Sequence, residues 1–320
     1  MFGGYIALHL GKKYALPIVY TYHTRYEQYL HYLFSFADVE YENVVKNQLT
    51  KGATNVIRSA VTLHNRVFTN RCDLVFAPTA LMQEFLRENG TWKEIAILPT
   101  GLSDDDFIWN DENVLQIKNT YSPNGERLFL CVARLEKEKN LGFLISAMKK
   151  YKDMYNQNFK LLIAGEGSYR SELQDMTVEL GLENHIVFAG NIPHDRIVDY
   201  CKASALFLFA SKSETQGIVL LEAMAAGTPV IAVQASGVDD VVIDSVNGFA
   251  VSENETVFTE TINKVIGDNE LFSKLQKGAL DTALKYTSDS MAERAEIHYQ
   301  ALLSCEKGIT SEPYCLERAL

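Results

Sequence analysis

The sequence predicts an α/β protein whose larger part is a parallel, doubly wound sheet. Between Arg127 and Val251, short apolar runs alternate with helix-like segments, as expected for consecutive strand–helix units. The composition, with 47% hydrophobic and 22% charged residues, is that of a soluble globular chain. A chain of 320 residues can bury one large core or two ordinary ones.

The most informative stretch, residues 205–233, reads ALFLFASKSETQGIVLLEAMAAGTPVIAV. It opens with an apolar run short enough for a strand buried on both faces, and a polar turn ending at Gly217 follows. An apolar helical segment then ends at Gly227, and Pro229 blocks its continuation before a second apolar run. These residues are predicted to form a strand–loop–helix–strand unit.

Two carboxylates flank the predicted start of that helix. Glu214 lies in the turn and Glu222 lies within the helix. A helix N-terminus presents unpaired N–H groups and suits a phosphate, while carboxylates accept hydrogen bonds from sugar hydroxyls. The alternative is that both are ordinary solvated charges; the backbone path fixed by Gly217, Gly227 and Pro229 favours a binding site.

The pattern Glu-x7-Glu followed by Ala-Met-Ala-x-Gly-x-Pro-Val resembles the signature of retaining glycosyltransferases of the GT-B fold. The resemblance implies twin Rossmann-like domains, the first one incomplete here and the second a parallel doubly wound sheet. It implies that Glu214 faces the hydroxyls of a donor sugar and that Glu222 holds the ribose diol of a UDP-sugar. It also implies that the backbone amides of Gly217, Ile218 and Val219 approach the diphosphate.

Charge and cysteine content exclude several classes of protein. The net charge of −11 argues against a general nucleic-acid binder. The five cysteines are scattered and none has metal-ligand spacing, so we expect reduced thiols, no metal and a cytoplasmic location. No run of about 18 apolar residues predicts a membrane-spanning helix. Residues 1–72 carry net +4, from eight basic and four acidic residues, so the remainder carries −15.

The chain opens with an apolar, helix-like stretch that ends near Tyr14, and residues 16–21 read as a buried strand. Compared with the GT-B enzymes that it resembles, the chain is expected to begin partway through the first domain. The pair Gly3-Gly4 is not expected to face a diphosphate, because no strand precedes it. We expect a partial acceptor-side domain over residues 1–105.

His23 follows that first strand, at the end of the sheet where ligands of open α/β sheets bind. In the resembled family a histidine at this strand end reaches the donor sugar, and His23 matches it. The tyrosine-rich run 22–32 is similar to bacterial diacylglycerol glucosyltransferases, which implies a lipid acceptor. An aromatic helix face packed in a core explains the run equally well.

A basic stretch without acidic residues extends from residue 43 to residue 72, and its apolar residues recur at mostly helical spacing. Such a helix can lie on an anionic membrane surface, or it can be a solvated helix face. The membrane interpretation places the protein at the inner face of the cell membrane as a peripheral protein. The basic residues proposed for membrane contact are Lys46, Lys51, Arg58, Arg66 and Arg71.

The remaining elements of the first domain are predicted in order. Residues 73–79 form a strand entering a turn, residues 80–89 a helix, and residues 95–102 another strand. Residues 106–126 are polar and turn-rich, so they are predicted to be a linker with a short helix. The donor domain is expected over 127–288, followed by a C-terminal helix returning toward the first domain and a tail.

The first strand of the donor domain ends at Arg134, and Lys139 precedes the following helix. Two cations at this point can neutralise a diphosphate without a metal, and the family motif matches both residues. The Gly-x-Gly that begins at Gly165 is weak by itself but occurs in the family order. The turn containing Ile192 is implied to lie against the nucleobase.

These patterns together predict a retaining hexosyltransferase that moves glucose from UDP-glucose to diacylglycerol or a related lipid. Donor binding without turnover, a non-lipid acceptor, and an epimerase or phosphorylase of the same fold remain alternatives. No Gly-x-Gly-x-x-Gly opens a helix with an acid about 20 residues later, which argues against an oxidoreductase.

Overall fold

The computed structural model describes residues 2–24, 44–155 and 158–306. The chain forms two compact units. One comprises Met1–Pro99 together with Ala292–Leu320, and the other comprises Thr100–Met291.

The second unit alternates strands and helices through most of its length. Its elements are α4 (Asp111–Tyr121), β4 (Arg127–Val132), α5 (Leu141–Tyr155), β5 (Phe159–Ala164), α6 (Arg170–Glu179), β6 (Ile186–Gly190), α7 (Ile197–Ala203), β7 (Leu206–Phe209), α8 (Ile218–Ala225), β8 (Val230–Val233), β9 (Gly248–Val251), α9 (Glu255–Gly267) and α10 (Asn269–Ala283).

Within the described residues of this unit, six strands form one parallel sheet in the order β6-β5-β4-β7-β8-β9. Successive residues of β4 point to opposite faces, and both faces are apolar. Phe129 and Cys131 belong to one buried cluster, whereas Leu128 and Leu130 belong to the other. Burial of both faces under helices explains why these strands are apolar throughout and confirms the predicted doubly wound sheet.

The chain direction across the sheet reverses beside β4. From β4 the chain moves outward to β5 and β6, and then returns to place β7 on the other side of β4. The chain therefore leaves the adjacent strands β4 and β7 toward opposite edges of the sheet, and a crevice opens between the two loops at the carboxyl ends of these strands. Open α/β sheets bind ligands at such switch points.

The first unit contains α1 (Phe2–Tyr14), β1 (Val19–Thr21), α2 (Val44–Thr69), β2 (Leu74–Ala77), α3 (Ala80–Glu88) and β3 (Glu94–Ile97). Its described strands form a parallel sheet in the order β1-β2-β3. Tyr5 of α1 packs edge-on against His64 and Phe68 of α2. Gly3 and Gly4 lie inside α1 rather than in a turn. Because Gly4 has no side chain, the Phe68 ring can pack directly against the helix backbone at this position.

A last helix, α11 (Ser288–Glu306), supplies residues to the first unit from Ala292 onward. The guanidinium of Arg294 donates to the carbonyl of Ile97 at 3.1 Å. Phe76 of β2 makes edge contacts with His298 and Tyr299. The C-terminal helix is thus part of the core around β2.

The segment 106–126, predicted as a linker with a short helix near Val114–Lys118, contains helix α4, which is longer than predicted and packs in the second unit. Helix α4 buries Val114 and Ile117 in one core cluster of the sheet. The buried carboxylate of Asp199 accepts hydrogen bonds from the Asn110 amide and the Asn113 side chain, each at 2.8 Å. These contacts hold the segment against α7. The predicted strand 95–102 is also shorter, since only Glu94–Ile97 form β3.

Candidate functional site

A cavity of about 330 Å³ opens at the carboxyl ends of the strands in the second unit. Seven of the residues predicted for the site line it: Arg134, Lys139, Gly165, Ile192, Glu214, Ile218 and Val219. The other lining residues are Val132, Ala133, Ala164, Glu166, Asn191 and Phe209. The sheet topology therefore brings together side chains that are up to 85 positions apart in the sequence, from Arg134 to Val219.

One wall of the cavity depends on close backbone packing. Gly165 has a φ of +133°, and a Cβ there would lie 2.0 Å from the carbonyl oxygen of Ala133. The amide of Leu135 donates to the carbonyl of Glu166 at 2.9 Å. Any side chain at Gly165 would force the loops after β4 and β5 apart, so the glycine sets the width of the cavity at this point.

Lys139 and Glu214 form the most buried ion pair of the cavity. The Lys139 Nζ lies 2.5 Å from Glu214 Oε1, and the two side chains are only 10% and 18% exposed. A 3-10 turn over Lys137–Lys139 and a left-handed Asn140, with φ of 55°, direct the lysine inward. A cation held in a low-dielectric cavity interacts strongly with an anionic ligand.

A second link joins the same two loops on their outer side. The Glu253 carboxylate accepts from Asn140 Nδ2 at 2.9 Å and from Lys212 Nζ at 2.5 Å. The hydrogen bond from Lys212, followed by that from Asn140, holds the pKa of Glu253 below its usual range, and desolvation opposes them. Asn140 follows Lys139, and Lys212 precedes Glu214, so Glu253 braces the buried pair from outside. Sequence analysis missed Glu253 because its partners lie far away in the chain.

Arg134 lines the mouth of the cavity rather than its interior. Its Nη2 lies 3.3 Å from Glu138 Oε1, and its side chain is 51% exposed. Arg134 and Lys139 are thus both in the cavity, as the motif implied, but they differ strongly in burial.

The N-terminus of helix α8 supplies backbone donors. Ile218 and Val219 of its first turn line the cavity. The residue before them, Gly217, is the N-cap with φ of 72°, and it has no side chain to cap their amides. The first amides of an α-helix have no partner within the helix and sit at the positive end of its dipole, which favours an anion.

Gln216 fixes the loop that leads into α8. Its side-chain amide accepts from the Thr100 N–H at 2.7 Å and donates to the Thr100 carbonyl at 2.9 Å. The Gln216 side chain is 6% exposed, whereas Thr100 is exposed, so both hydrogen bonds are partly buried. Sequence analysis did not single out this residue, although it lies between the two predicted site residues Glu214 and Gly217.

Glu222 lies in α8 but does not line the cavity. It is partly buried, and burial raises its pKa; the charge of Asp106 raises the pKa further, whereas His194 lowers it. A carboxylate held partly away from water gains from hydroxyl donors, because they replace its lost hydration. This environment suits the predicted ribose role without testing it.

Ile192 lines the cavity beside the end of β6, next to Asn191. Nearby, Glu166 pairs with Arg170, and Glu166 also lines the cavity. Gly190 has φ of 73°, and a Cβ there would lie 3.2 Å from Glu166 Oε1. The absent side chain leaves room for the Glu166 carboxylate at this end of the cavity.

The first unit contains His23 and the basic residues predicted for membrane contact. His23 follows β1 and is exposed, yet partial burial lowers the pKa of its imidazole. Arg58 and Arg66 lie on α2 and Arg71 just after it, all exposed. The side chains of Lys46 and Lys51, and residues 25–32 of the tyrosine-rich run, lie outside the described residues.

The described residues contain neither a membrane-spanning helix nor a cluster of metal-binding side chains. Within residues 2–24, 44–155 and 158–306, no helix combines the length and the apolar character needed to cross a bilayer. Across the same residues, no three His, Cys, Asp or Glu side chains are grouped so that they could hold a metal ion.

The cavity lies at the switch point of a doubly wound sheet and combines cations with a helix N-terminus, an arrangement of an α/β domain that suits an anionic ligand. The family model described as "Glycosyl transferases group 1" matches residues 115–281, more than half of the chain. The protein therefore belongs to the group 1 glycosyltransferase family. A second family model, "Glycosyltransferase Family 4", matches residues 1–106.

Similar curated proteins include two named alpha-monoglucosyldiacylglycerol synthase. The Acholeplasma laidlawii protein is 27% identical over 304 residues, which cover 94% of this chain and 73% of that protein. The Streptococcus pneumoniae protein is 28% identical over 235 residues, covering 72% and 49%. The Arabidopsis thaliana sulfoquinovosyl transferase SQD2 is 27% identical and covers 88% and 51%. The chain thus spans about half the length of the last two.

Solved structures share the fold. Sucrose-phosphate synthase from Thermosynechococcus elongatus has a TM-score of 0.76 at 21% identity, covering 94% of this chain and 72% of that one. Anabaena Alr3699/HepE, solved in complex with UDP and glucose, also has a TM-score of 0.76, at 19% identity and with coverage of 93% and 75%. The predicted GT-B fold is confirmed.

Proposed function

We propose that the protein transfers glucose from UDP-glucose to the hydroxyl of a lipid such as diacylglycerol, with retention of the anomeric configuration. The observation that carries this proposal is the convergence of Lys139, Glu214 and the open N-terminus of α8 in one cavity. The UDP and glucose named for the HepE structure support the donor, and the names of the two glycolipid synthases support the acceptor.

In this proposal the diphosphate lies against Lys139, Arg134 and the amides of Gly217, Ile218 and Val219. The ribose diol donates to Glu222, and the nucleobase lies near Gly165 and Ile192. Glu214 and His23 orient the hexose. The combination of a buried cation, a more exposed cation and backbone amides suits a ligand whose charge must be held without a metal.

Catalysis follows from the same groups. The bond between the anomeric carbon and the diphosphate oxygen breaks, and its electron pair stays on the departing UDP. Lys139 and the first-turn amides of α8 are already aimed at the point where this charge develops, so they stabilise the transition state more than the ground state. The acceptor hydroxyl attacks on the face that the diphosphate leaves, and its proton passes to the departing phosphate oxygen. No nucleophilic side chain is required.

Helix α2 of the first unit is the proposed membrane contact. Val56, Leu63 and Val67 are 69%, 58% and 39% exposed, and their spacings of seven and four residues place them on one face of the helix. Arg66 borders that face, whereas Arg58 lies about half a turn away from Val56. An apolar stripe with bordering basic residues fits the interface of an anionic bilayer, on the inner face of the cell membrane.

The test is an assay of glucose transfer from UDP-glucose to diacylglycerol in vesicles that contain anionic lipid. Transfer is expected, and analysis of the product should show an α-linkage. Binding of UDP-glucose without transfer to any lipid hydroxyl would support the alternative of a donor-binding protein without turnover. Transfer only to a water-soluble acceptor would retain the donor site but overturn the lipid proposal.

A further inference from the structure

We propose that Glu214 discriminates between the nucleotide-sugar donor and the nucleoside diphosphate product, and that it does so by opposing the product's terminal phosphate at Lys139. The inference rests on the proposed function. It assigns Glu214 a specificity role beyond orienting the sugar.

Lys139 and Glu214 lie so close together that one ligand must meet both side chains. Glu214 Oε1 lies 2.5 Å from Lys139 Nζ, and both atoms belong to side chains that are at least four-fifths buried. Any phosphate that binds Lys139 must therefore approach the Glu214 carboxylate as well. The lysine attracts the phosphate and the glutamate repels it, and burial weakens the screening of both interactions.

The donor and the product differ in the charge of the outer phosphate. In a UDP-hexose the outer phosphate has an anhydride bond and an ester bond and carries one negative charge, and the attached sugar presents hydroxyls that can donate to Glu214. In UDP the outer phosphate has only the anhydride bond and, like a phosphate monoester, carries a charge between about −1.5 and −2 near neutral pH. UDP therefore brings more negative charge toward Glu214 and no sugar hydroxyl to satisfy it.

Glu214 cannot easily move away from a phosphate that binds Lys139. Gln216, two residues after Glu214, has a buried side chain that is fixed to the Thr100 backbone by two hydrogen bonds. Because these bonds hold the loop that carries Glu214, repulsion between Glu214 and the product is not relieved by a small loop shift. The result is weak product binding and easier release.

The experiment compares the dissociation constants of UDP and UDP-glucose, measured by calorimetry, for the wild type and Glu214→Gln. Glutamine keeps an acceptor for Lys139 but removes the charge. UDP should bind roughly tenfold more tightly to the variant, whereas UDP-glucose should bind no more tightly than to the wild type. The inhibition constant of UDP in the transfer assay should fall with the UDP dissociation constant.

Glu166→Gln is the matched control. Glu166 lines the same cavity but pairs with Arg170, and its side chain is 46% exposed. It therefore measures the general effect of removing one carboxylate from the cavity, which we expect to be about twofold or less. Glu214→Asp keeps the charge but withdraws it from Lys139, so it should bind UDP more tightly than the wild type and less tightly than Glu214→Gln. The gain of Glu214→Asp over the wild type tests the inference even if the glutamine variant folds poorly.

Equal or weaker UDP binding by folded Glu214→Gln would overturn the inference, and so would an equal gain in Glu166→Gln. In either case, wild-type binding of UDP-glucose would leave the proposed function intact. If the wild type bound neither ligand, the proposed function itself would be overturned, and the inference with it.

Discussion

The two units of the molecule arrange their candidate functional residues in different ways. In the second unit, loops from several strands bring Lys139, Glu214 and the α8 N-terminus into one cavity. In the first unit, the basic and apolar candidates are spread along the exposed surface of α2. A convergent site depends on a few strong interactions, whereas a distributed surface adds many weak ones. Single substitutions should therefore separate the two regions clearly.

The largest effect is expected from Arg134→Ala combined with Lys139→Ala. Each charge-assisted hydrogen bond to the diphosphate contributes about 1.5–3 kcal/mol, so UDP affinity should fall by at least about 100-fold. Calorimetric titration measures the loss, and a melting curve checks that Glu214, left without its partner, has not unfolded the variant. Lys137→Ala with Lys149→Ala removes the same charge from two residues that do not line the cavity and should leave UDP binding nearly unchanged.

Glu222→Ala tests the second carboxylate. Loss of hydrogen bonds from the ribose diol should weaken UDP and UDP-glucose binding equally, by roughly 10- to 100-fold. Glu222→Gln, which retains an acceptor oxygen, should be intermediate. Unchanged affinity in both variants would remove Glu222 from the ribose role.

The pH dependence of Glu222 sharpens this test. Because burial raises its pKa, Glu222 takes up a proton at a higher pH than an ordinary glutamate as the pH falls. Ionised Glu222 costs stability above that raised pKa, so lowering the pH should stabilise the wild type relative to Glu222→Gln. Over the same interval the wild type should lose UDP affinity relative to the variant. Melting temperatures and titrations of both proteins check these opposite trends, and parallel trends would contradict the assignment.

Local sequence patterns predicted the second unit well. The stretch around α8 was predicted as residues 218–226 and is observed as Ile218–Ala225, because Gly217 and Gly227 adopt left-handed conformations at its two ends. The alternation of apolar runs and helical segments predicted the parallel sheet, and the family motifs predicted seven residues that line the cavity. Each of these features depends on residues that are close together in the sequence.

The residues that hold the site in place could not be predicted in this way. Gln216 bonds to Thr100, 116 positions away, and Asn140 bonds to Glu253, 113 positions away. Nothing in the neighbouring sequence identifies such partners. Helix α4 was underestimated for a similar reason, since it is held by the distant Asp199 rather than by a strong apolar pattern of its own.

Gln216→Ala is expected to have a smaller effect than the cavity substitutions. It removes two partly buried hydrogen bonds to the Thr100 backbone, each of which contributes about 0.5–1.5 kcal/mol, so about 1–3 kcal/mol of unfolding free energy should be lost. Denaturant titration measures this loss. Gln216→Glu keeps the acceptor but cannot donate to the carbonyl, so at least part of the loss should remain. Full stability in both variants would show that the clamp does not hold the loop.

The smallest effects are expected on α2. Arg66→Gln should weaken binding to anionic vesicles about fivefold, since a basic residue near the surface contributes about 1 kcal/mol. Arg58→Gln, on a different face of the helix, should have less effect, and vesicles without anionic lipid should remove the difference. Leu63→Ser tests the apolar stripe independently of charge. Equal binding by all three variants and the wild type would exclude α2 as the membrane contact.

The most direct test of the central claim is an experimental structure of the chain with UDP bound. The account predicts that the diphosphate oxygens lie within hydrogen-bonding distance of Lys139 Nζ and of the Ile218 and Val219 amides, with the ribose hydroxyls against Glu222. A diphosphate bound away from Lys139 and the start of α8 would contradict the assignment of this cavity as the donor site.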